Sequence, residues 1–218
     1  MTTNHLAGWM SANKPHHIMR LMRANGWLRE HAPEVNRLYG VPQRADHHPE
    51  VDTGVHVELV LEIASELSSD PRVRYAALVH DLGKGLTPQA EWPRHHKHEE
   101  LGVQPGLELA QRLGVPADWQ LLGAAVARFH LHAHRAMDAS PRSLMRFFRD
   151  AKFFEHPQLV EHFTLACEAD ARGRAGLQNR PYPQAQRIRT AFEIANRLTG
   201  EDPVRLYDAR IQALIDQL

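Results

Sequence analysis

The residues best suited to chemistry are histidines and carboxylates gathered at helix ends. Sixteen of the 218 residues are histidine, with no run of six to suggest a tag. Histidine is the commonest metal ligand and the side chain best placed to move protons near neutral pH. The sharpest pair is His80-Asp81, which closes the apolar run PRVRYAALV just before Gly83-Lys84. A helix that buries Ala76, Ala77 and Val79 and then presents an imidazole beside a carboxylate is poorly designed for packing alone. Buried ionisable groups cost several kcal/mol unless paired or metal-bound. A divalent cation satisfies both: nitrogen and oxygen together suit Mn, Fe, Co, Ni or Zn, and Mg less comfortably. The plainer reading is a helix-end pair in which Asp81 salt-bridges Lys84. His56 opens the preceding helix, and Asp170 ends another apolar one (Leu159, Val160, Phe163, Ala166, Cys167). An antiparallel hairpin brings the start of one helix near the end of the next, so these ends could converge. Four such ligands leave a six-coordinate ion open positions for water and substrate, as catalysis requires.

The spacing His56…His80-Asp81…Asp170 resembles the HD-domain metal-dependent phosphohydrolases, whose central motif is commonly HDLGK. Five strings in order make the resemblance closer: HPEVDTGVH (48–56), HDLGKGLTP (80–88), WPRHHKHE (92–99), RFH (128–130) and EADARGR (168–174). They look like the HD region of bacterial tRNA nucleotidyltransferases, the multifunctional CCA-adding enzymes, over about residues 18–195. Those enzymes carry a nucleotidyltransferase head ahead of this region. Here there is no Gly-Gly nucleotide loop followed by an Asp-x-Asp pair, so CCA addition is not expected. The resemblance implies the activities of the HD part alone: phosphatase, 2′-nucleotidase and 2′,3′-cyclic phosphodiesterase. It also implies one or two divalent ions, with transition metals (Ni, Mn, Co, Fe or Zn) favoured and Mg permitted.

On that resemblance His56, His80, Asp81 and Asp170 bind the first metal, and Asp81 orients or deprotonates the attacking water or bridges two ions. Three readings stay open for His98 and His130: a second metal site, two imidazoles facing one phosphate with one as general acid, or helix capping without substrate contact. His95 and His96 precede the same helix as His98, and at least one is expected to be exposed. Lys84, Arg94, Arg128, Arg172 and Arg174 lie beside the motifs and are candidates for phosphate; Arg172 could instead pair with the Asp170 carboxylate. Trp92 is expected to anchor its loop, and Cys167 to be an inert buried thiol.

The elements that must position these groups read as helices almost throughout. Ile18, Leu21, Met22 and Leu28 form a stripe at helical spacing, and the polar, Pro-rich stretch VPQRADHHPEVDTG (41–54) follows as irregular chain. A run opened by His56 continues through Leu59, Val60, Ile63, Ala64 and Leu67. Asp70-Pro71 restart the helix that ends near Gly83, which reads as a C-terminal glycine. A lid-like loop spans Lys84 to Lys97. Further helices are expected from about His98 to Leu113, Pro116 to His132, Pro141 to Phe154, Pro157 to Ala171, Tyr182 to Thr199 and Pro203 to Gln217. Nothing alternates with period two, so the fold class is all-α: an HD-domain helical bundle. Residues 1–218 read as one domain, with a core over about 18–195 and a helical extension over 196–218.

Composition sets the outer limits. Lys+Arg and Asp+Glu both number 26, so net charge is zero, which argues against bulk attraction to nucleic acid or anionic membrane. One cysteine excludes a disulfide framework and Cys-rich zinc modules. No stretch approaches the ~20 apolar residues that span a bilayer. The N-terminus lacks the apolar core of an export signal, so a cytoplasmic location is expected. The expected reaction is hydrolysis of a nucleotide or RNA-end phosphate mono- or diester, with tRNA contact implied by the resemblance alone. The rivals are a non-catalytic nucleotide- or tRNA-binding module with the same fold, and hydrolysis of guanosine tetraphosphate-type alarmones, for which no specific string is present. Oligomeric state is not legible.

Overall fold

The structure, a computed structural model, describes residues 5–218; residues 1–4, within the stretch read for an export signal, lie outside it. Helices dominate: α1 (His5–Ser11), α2 (Pro15–Ala24), α3 (Trp27–His31), α4 (Pro33–Asn36), α5 (Thr53–Leu67), α6 (Pro71–Val79), α7 (His98–Leu113), α8 (Ala117–His134), α9 (Pro141–Asp150), α10 (Leu159–Arg172), α11 (Pro183–Asn196) and α12 (Pro203–Gln217). The only extended pairing among the described residues is an isolated bridge between Pro42 and Asp52. The fold is all-α, as the periodicity predicts. Among the described residues no helix is long and apolar enough to cross a membrane.

Two hydrophobic clusters fill the interior, and α6 lies between them. Val73 and Ala76 pack with the phenylalanine-rich cluster formed with α8–α12, which includes Phe147, Phe148, Phe153, Phe163 and Phe192. Tyr75, Ala77, Leu78 and Val79 pack into the other, with Trp9, Met19, Leu28, Val60, Leu61 and Trp119. α6 is buried on all sides from Val73 to Val79, apolar except for Arg74, whose guanidinium donates to the Ser68, Met10 and Ala12 carbonyls. Its start is fixed by Asp70, which accepts from Arg72 N at 2.9 Å, and by Pro71 at the first helical position. The chain leaving its far end, His80-Asp81, is therefore delivered into the protein interior.

Several boundaries differ from expectation for local reasons. α5 begins at Thr53 rather than His56, because Asp52 caps it by accepting from Val55 N at 3.0 Å. α9 stops at Asp150, where Ala151 caps the helix and Lys152 turns left-handed (φ 57°). The segment expected to be a free lid carries two 3₁₀ turns, Leu82–Leu86 and Gln89–Glu91. It is pinned from inside: His95 Nδ1 lies 2.7 Å from Thr87 Oγ1, and Trp92 Nε1 donates to the same oxygen at 3.1 Å. Gly83 is not a left-handed cap. Its role is space, because a Cβ there would lie 2.0 Å from the His98 carbonyl oxygen and 2.6 Å from Gly102 N. That close approach seats the first turn of α7 on the HD segment.

Candidate metal centre

The centre is assembled from helix ends. His56 comes from the first turn of α5, His80 and Asp81 from the end of α6, and His98 from the start of α7. His130 and Asp170 lie near the ends of α8 and α10. All six side chains are buried. Each imidazole places Nδ1 against a backbone carbonyl: His56 against Gly173 (3.1 Å), His80 against Ala77 (2.7 Å), His98 against His95 (2.9 Å) and His130 against Val126 (3.1 Å). A carbonyl can only accept, so in the neutral ring Nδ1 carries the hydrogen and the Nε2 lone pair faces the interior.

Those nitrogens surround the two carboxylates in two groups. His56 Nε2 lies 3.1 Å from Asp170 Oδ1 and 3.9 Å from Asp81 Oδ2. His80 Nε2 lies 3.1 Å from Asp81 Oδ2 and 3.7 Å from Asp170 Oδ1. Across Asp81, its Oδ1 is 3.5 Å from His98 Nε2 and 3.7 Å from His130 Nε2, and those two nitrogens are 3.3 Å apart. Asp81 thus stands between a His56–His80–Asp170 group and a His98–His130 group. Its Oδ2 also receives Lys84 Nζ at 2.6 Å, and Lys84 is held in turn by Gln43 Oε1.

Burial alone would raise the Asp81 carboxyl, but His80 and Lys84 hold it well below the usual range. Asp170 behaves likewise, with burial opposed by His134 and His80. Burial pushes His98 down and His130 far down, favouring neutral imidazole.

The donor set fits a divalent ion. His80 Nε2 and Asp81 Oδ1 are buried with no hydrogen-bond partner among the described residues. Each such orphan costs about 1–3 kcal/mol if left unsatisfied. Two imidazole lone pairs facing one another at 3.3 Å make sense as shared ligands. Two nitrogens each ~2.1 Å from one ion at nearly a right angle are about 3 Å apart. His56, His80 and Asp170 form one cluster of metal-competent atoms within 4.8 Å, and Asp81, His98 and His130 a second. Of these, Asp81, His98, His130 and Asp170 reach a cavity of about 370 Å³ whose wall also carries Arg44, Lys84, Arg94, Arg135 and Arg174.

Residues 53–188 match the HD domain family. This chain belongs to that family. The HD domain superfamily is one of metal-dependent phosphohydrolases, and the His/Asp cluster is the feature such chemistry uses. The chain is similar to the Multifunctional CCA protein of Nitrosococcus oceani, 48% identical over 204 residues, covering 94% of this chain and 50% of that protein. It is 47% identical over 176 residues to the one from Teredinibacter turnerae (81% and 43% covered) and 46% identical over 182 residues to the one from Pseudomonas syringae pv. syringae (84% and 45%). The chain spans about half the length of these relatives.

Within the HD domain the structure brings His56, His80, Asp81, Lys84, His98, His130 and Asp170 together. Arg94 and Arg174 line the same cavity. Arg128 and Arg172 do not line it, so neither stands where a phosphate over the metal centre would lie. Arg128 pairs with Glu100 at 3.1 Å, and Arg172 with Glu168 at 2.8 Å rather than with Asp170. Each lies two residues from a cluster residue, and i and i+2 point to different faces of a helix. His95 is buried, with Nε2 2.7 Å from the Pro42 carbonyl, whereas His96 is exposed. Trp92 anchors its loop, and Cys167 is buried with its thiol pushed well up by burial.

Two contributors to the HD centre escape the sequence reading. Glu50, its side chain 3% exposed, sets Oε1 2.9 Å from His56 Nδ1 and 3.1 Å from His48 Nδ1. It sits in an irregular stretch, where no periodicity announces a direction. His134 places Nε2 2.6 Å from Asp170 Oδ2 and Nδ1 2.9 Å from the Tyr182 hydroxyl. Its signal was present, since His134 follows His130 by four and shares its helix face.

Proposed function

We propose that this HD domain hydrolyses a phosphate mono- or diester of a nucleotide or an RNA end, as a 2′,3′-cyclic phosphodiesterase, 2′-nucleotidase or phosphatase. The carrying observation is the arrangement of four inward-facing Nε2 atoms around Asp81 and Asp170, two carboxylates that line a cationic cavity. His56, His80, Asp81 and Asp170 would hold one divalent ion. Asp81 Oδ1 with His98 and His130 would hold a second, a reading supported by their mutual approach and by burial that keeps both rings neutral. The imidazole-rich set favours Ni, Mn, Co, Fe or Zn over Mg. A divalent ion bound there would supply Lewis acidity and lower the pKa of its water toward about 7.

The remaining work falls to protein groups. Lys84, fixed between Asp81 and Gln43, presents a compact positive charge at the cavity floor. Arg94 and Arg174 flank the phosphoryl oxygens, where charge develops as the ester breaks. Asp81 orients the attacking water. Contact with tRNA belongs to the same proposal, since the similar proteins are named for CCA.

The test is metal-stripped protein reloaded with Ni, Mn, Co or Mg and offered 2′,3′-cyclic AMP, 2′-AMP and p-nitrophenyl phosphate. Metal-dependent release of 2′- or 3′-AMP from the cyclic ester, or of inorganic phosphate from the others, supports the reading. Protein that holds metal and binds nucleotide but turns over none of the three is a binding module instead.

Glu50 carries a separate expectation. Its carboxylate holds the His56 ring in the tautomer that aims Nε2 inward, and such outer partners are worth 10–100-fold in metal affinity by general experience. Glu50→Gln should weaken metal binding by about that factor while leaving the helical circular dichroism unchanged. A chelator-competition titration reads it, and unchanged affinity would refute the role.

A further inference from the structure

A second hollow, of about 440 Å³, opens between the end of α10, the segment 173–182 and the start of α11. It shares His134 and Arg174 with the wall of the metal-centre cavity, so the two hollows adjoin at those side chains. Its lining carries Arg174, Arg180 and Arg172, the last already paired with Glu168 at 2.8 Å, and no carboxylate lines it among the described residues. The Arg174 guanidinium stands at the seam, 3.7 Å from Asp170 Oδ1, with its Nε buried and without a hydrogen-bond partner. Arg180 is exposed and has no ion-pair partner among the described residues. Tyr182, flanked by Pro181 and Pro183, supplies flat apolar surface on the same wall.

A guanidinium fork is matched by phosphate oxygens, and ring faces are matched by a sugar or base. A mononucleotide reacting over Asp81 places its one phosphoester in the first cavity and leaves nothing anionic for the second. A strand end offers a second, adjoining phosphodiester. We propose that this hollow is a second phosphate subsite, holding the phosphodiester one nucleotide removed from the reacting group, so that the preferred substrate is an RNA end of two or more nucleotides. This rests on the hydrolase reading above, but its binding component can be tested without it.

The experiment compares a cyclic mononucleotide with a dinucleotide ending in the same 2′,3′-cyclic phosphate, in wild type, Arg180→Ala and Arg180→Lys. Wild type should favour the dinucleotide about tenfold in kcat/KM, through KM. Arg180→Ala should lose that preference with mononucleotide turnover unchanged, and Arg180→Lys should recover part of it. Each lost phosphate contact also lowers the salt slope of binding by about one. In parallel, fluorescence anisotropy of a labelled dinucleotide carrying a 3′-phosphate should show weaker binding to Arg180→Ala than to wild type. Equal affinity in the two proteins, or an unchanged preference, overturns the subsite. A nucleoside 3′,5′-bisphosphate is the competing source of a second phosphate. An Arg180-dependent gain for it alone overturns the strand-end assignment. If neither ester is hydrolysed by metal-loaded protein, the hydrolase reading fails, and the anisotropy comparison still decides the subsite.

Discussion

Asp81→Asn should lower metal-dependent hydrolysis by on the order of 10³-fold, the equivalent of several kcal/mol of charge stabilisation. The change keeps the shape of the side chain and removes its charge. Both Asp81 oxygens are engaged by different groups, Oδ2 near His56, His80 and Lys84, and Oδ1 near His98 and His130. No other carboxylate reaches both sides of the cluster among the described residues. The substitution also strands Lys84, whose side chain is 8% exposed. Breaking one partner of a buried pair costs about 3–5 kcal/mol, so a loss of activity could be mistaken for unfolding. The double variant Asp81→Asn/Lys84→Met separates the two. It should regain much of the urea midpoint without regaining turnover or metal occupancy. Hydrolysis within a few fold of wild type in folded Asp81→Asn would end the assignment of Asp81 to the reaction.

The second large effect is expected at a residue with no functional group. Gly83→Ala puts a methyl 2.0 Å from the His98 carbonyl oxygen and 2.6 Å from Gly102 N, both backbone atoms that cannot rotate away. The start of α7 must back off from the HD segment. Overpacking of this kind costs about 1–3 kcal/mol and sometimes more, which a shift in the urea midpoint measures. The functional loss should exceed the loss of stability, because the displaced residue is His98, which begins α7 and approaches Asp81 to 3.5 Å. At a temperature where both variants are folded, Gly83→Ala should resemble His98→Ala in activity. A variant with normal stability and normal turnover would show that the close contact is dispensable.

The helices were legible wherever burial is one-sided or caps are strong. α12 begins at Pro203 behind the capping Asp202 and ends at Gln217, as its pattern predicts. The HD pair was legible for an energetic reason: two ionisable groups at the end of an apolar helix need a partner. α1 was not, because a seven-residue helix is too short for a period to stand out. The loop 84–97 looked like a lid because its residues are polar, but Thr87 and His95 are buried by hydrogen bonds that composition does not show. Arg128 and Arg172 stand off the metal-centre cavity for a simple geometric cause. Nearness to a motif in sequence fixes distance along a helix, whereas direction follows the helical rotation. Glu50 lay in irregular chain, where neither guide applies.

The contact between His56 and Asp170 joins residues 114 positions apart. Such a pairing cannot form while the chain is still being synthesised through α8 and α9, and it demands closure of a long loop before it returns anything. The ligand set is therefore absent from the nascent chain and from any partly folded state lacking α10. An ion that binds it recognises only the finished protein, and adds stability by mass action to the native state alone. Loading is then a late event in the life of the molecule, decided by which metals the mature fold meets.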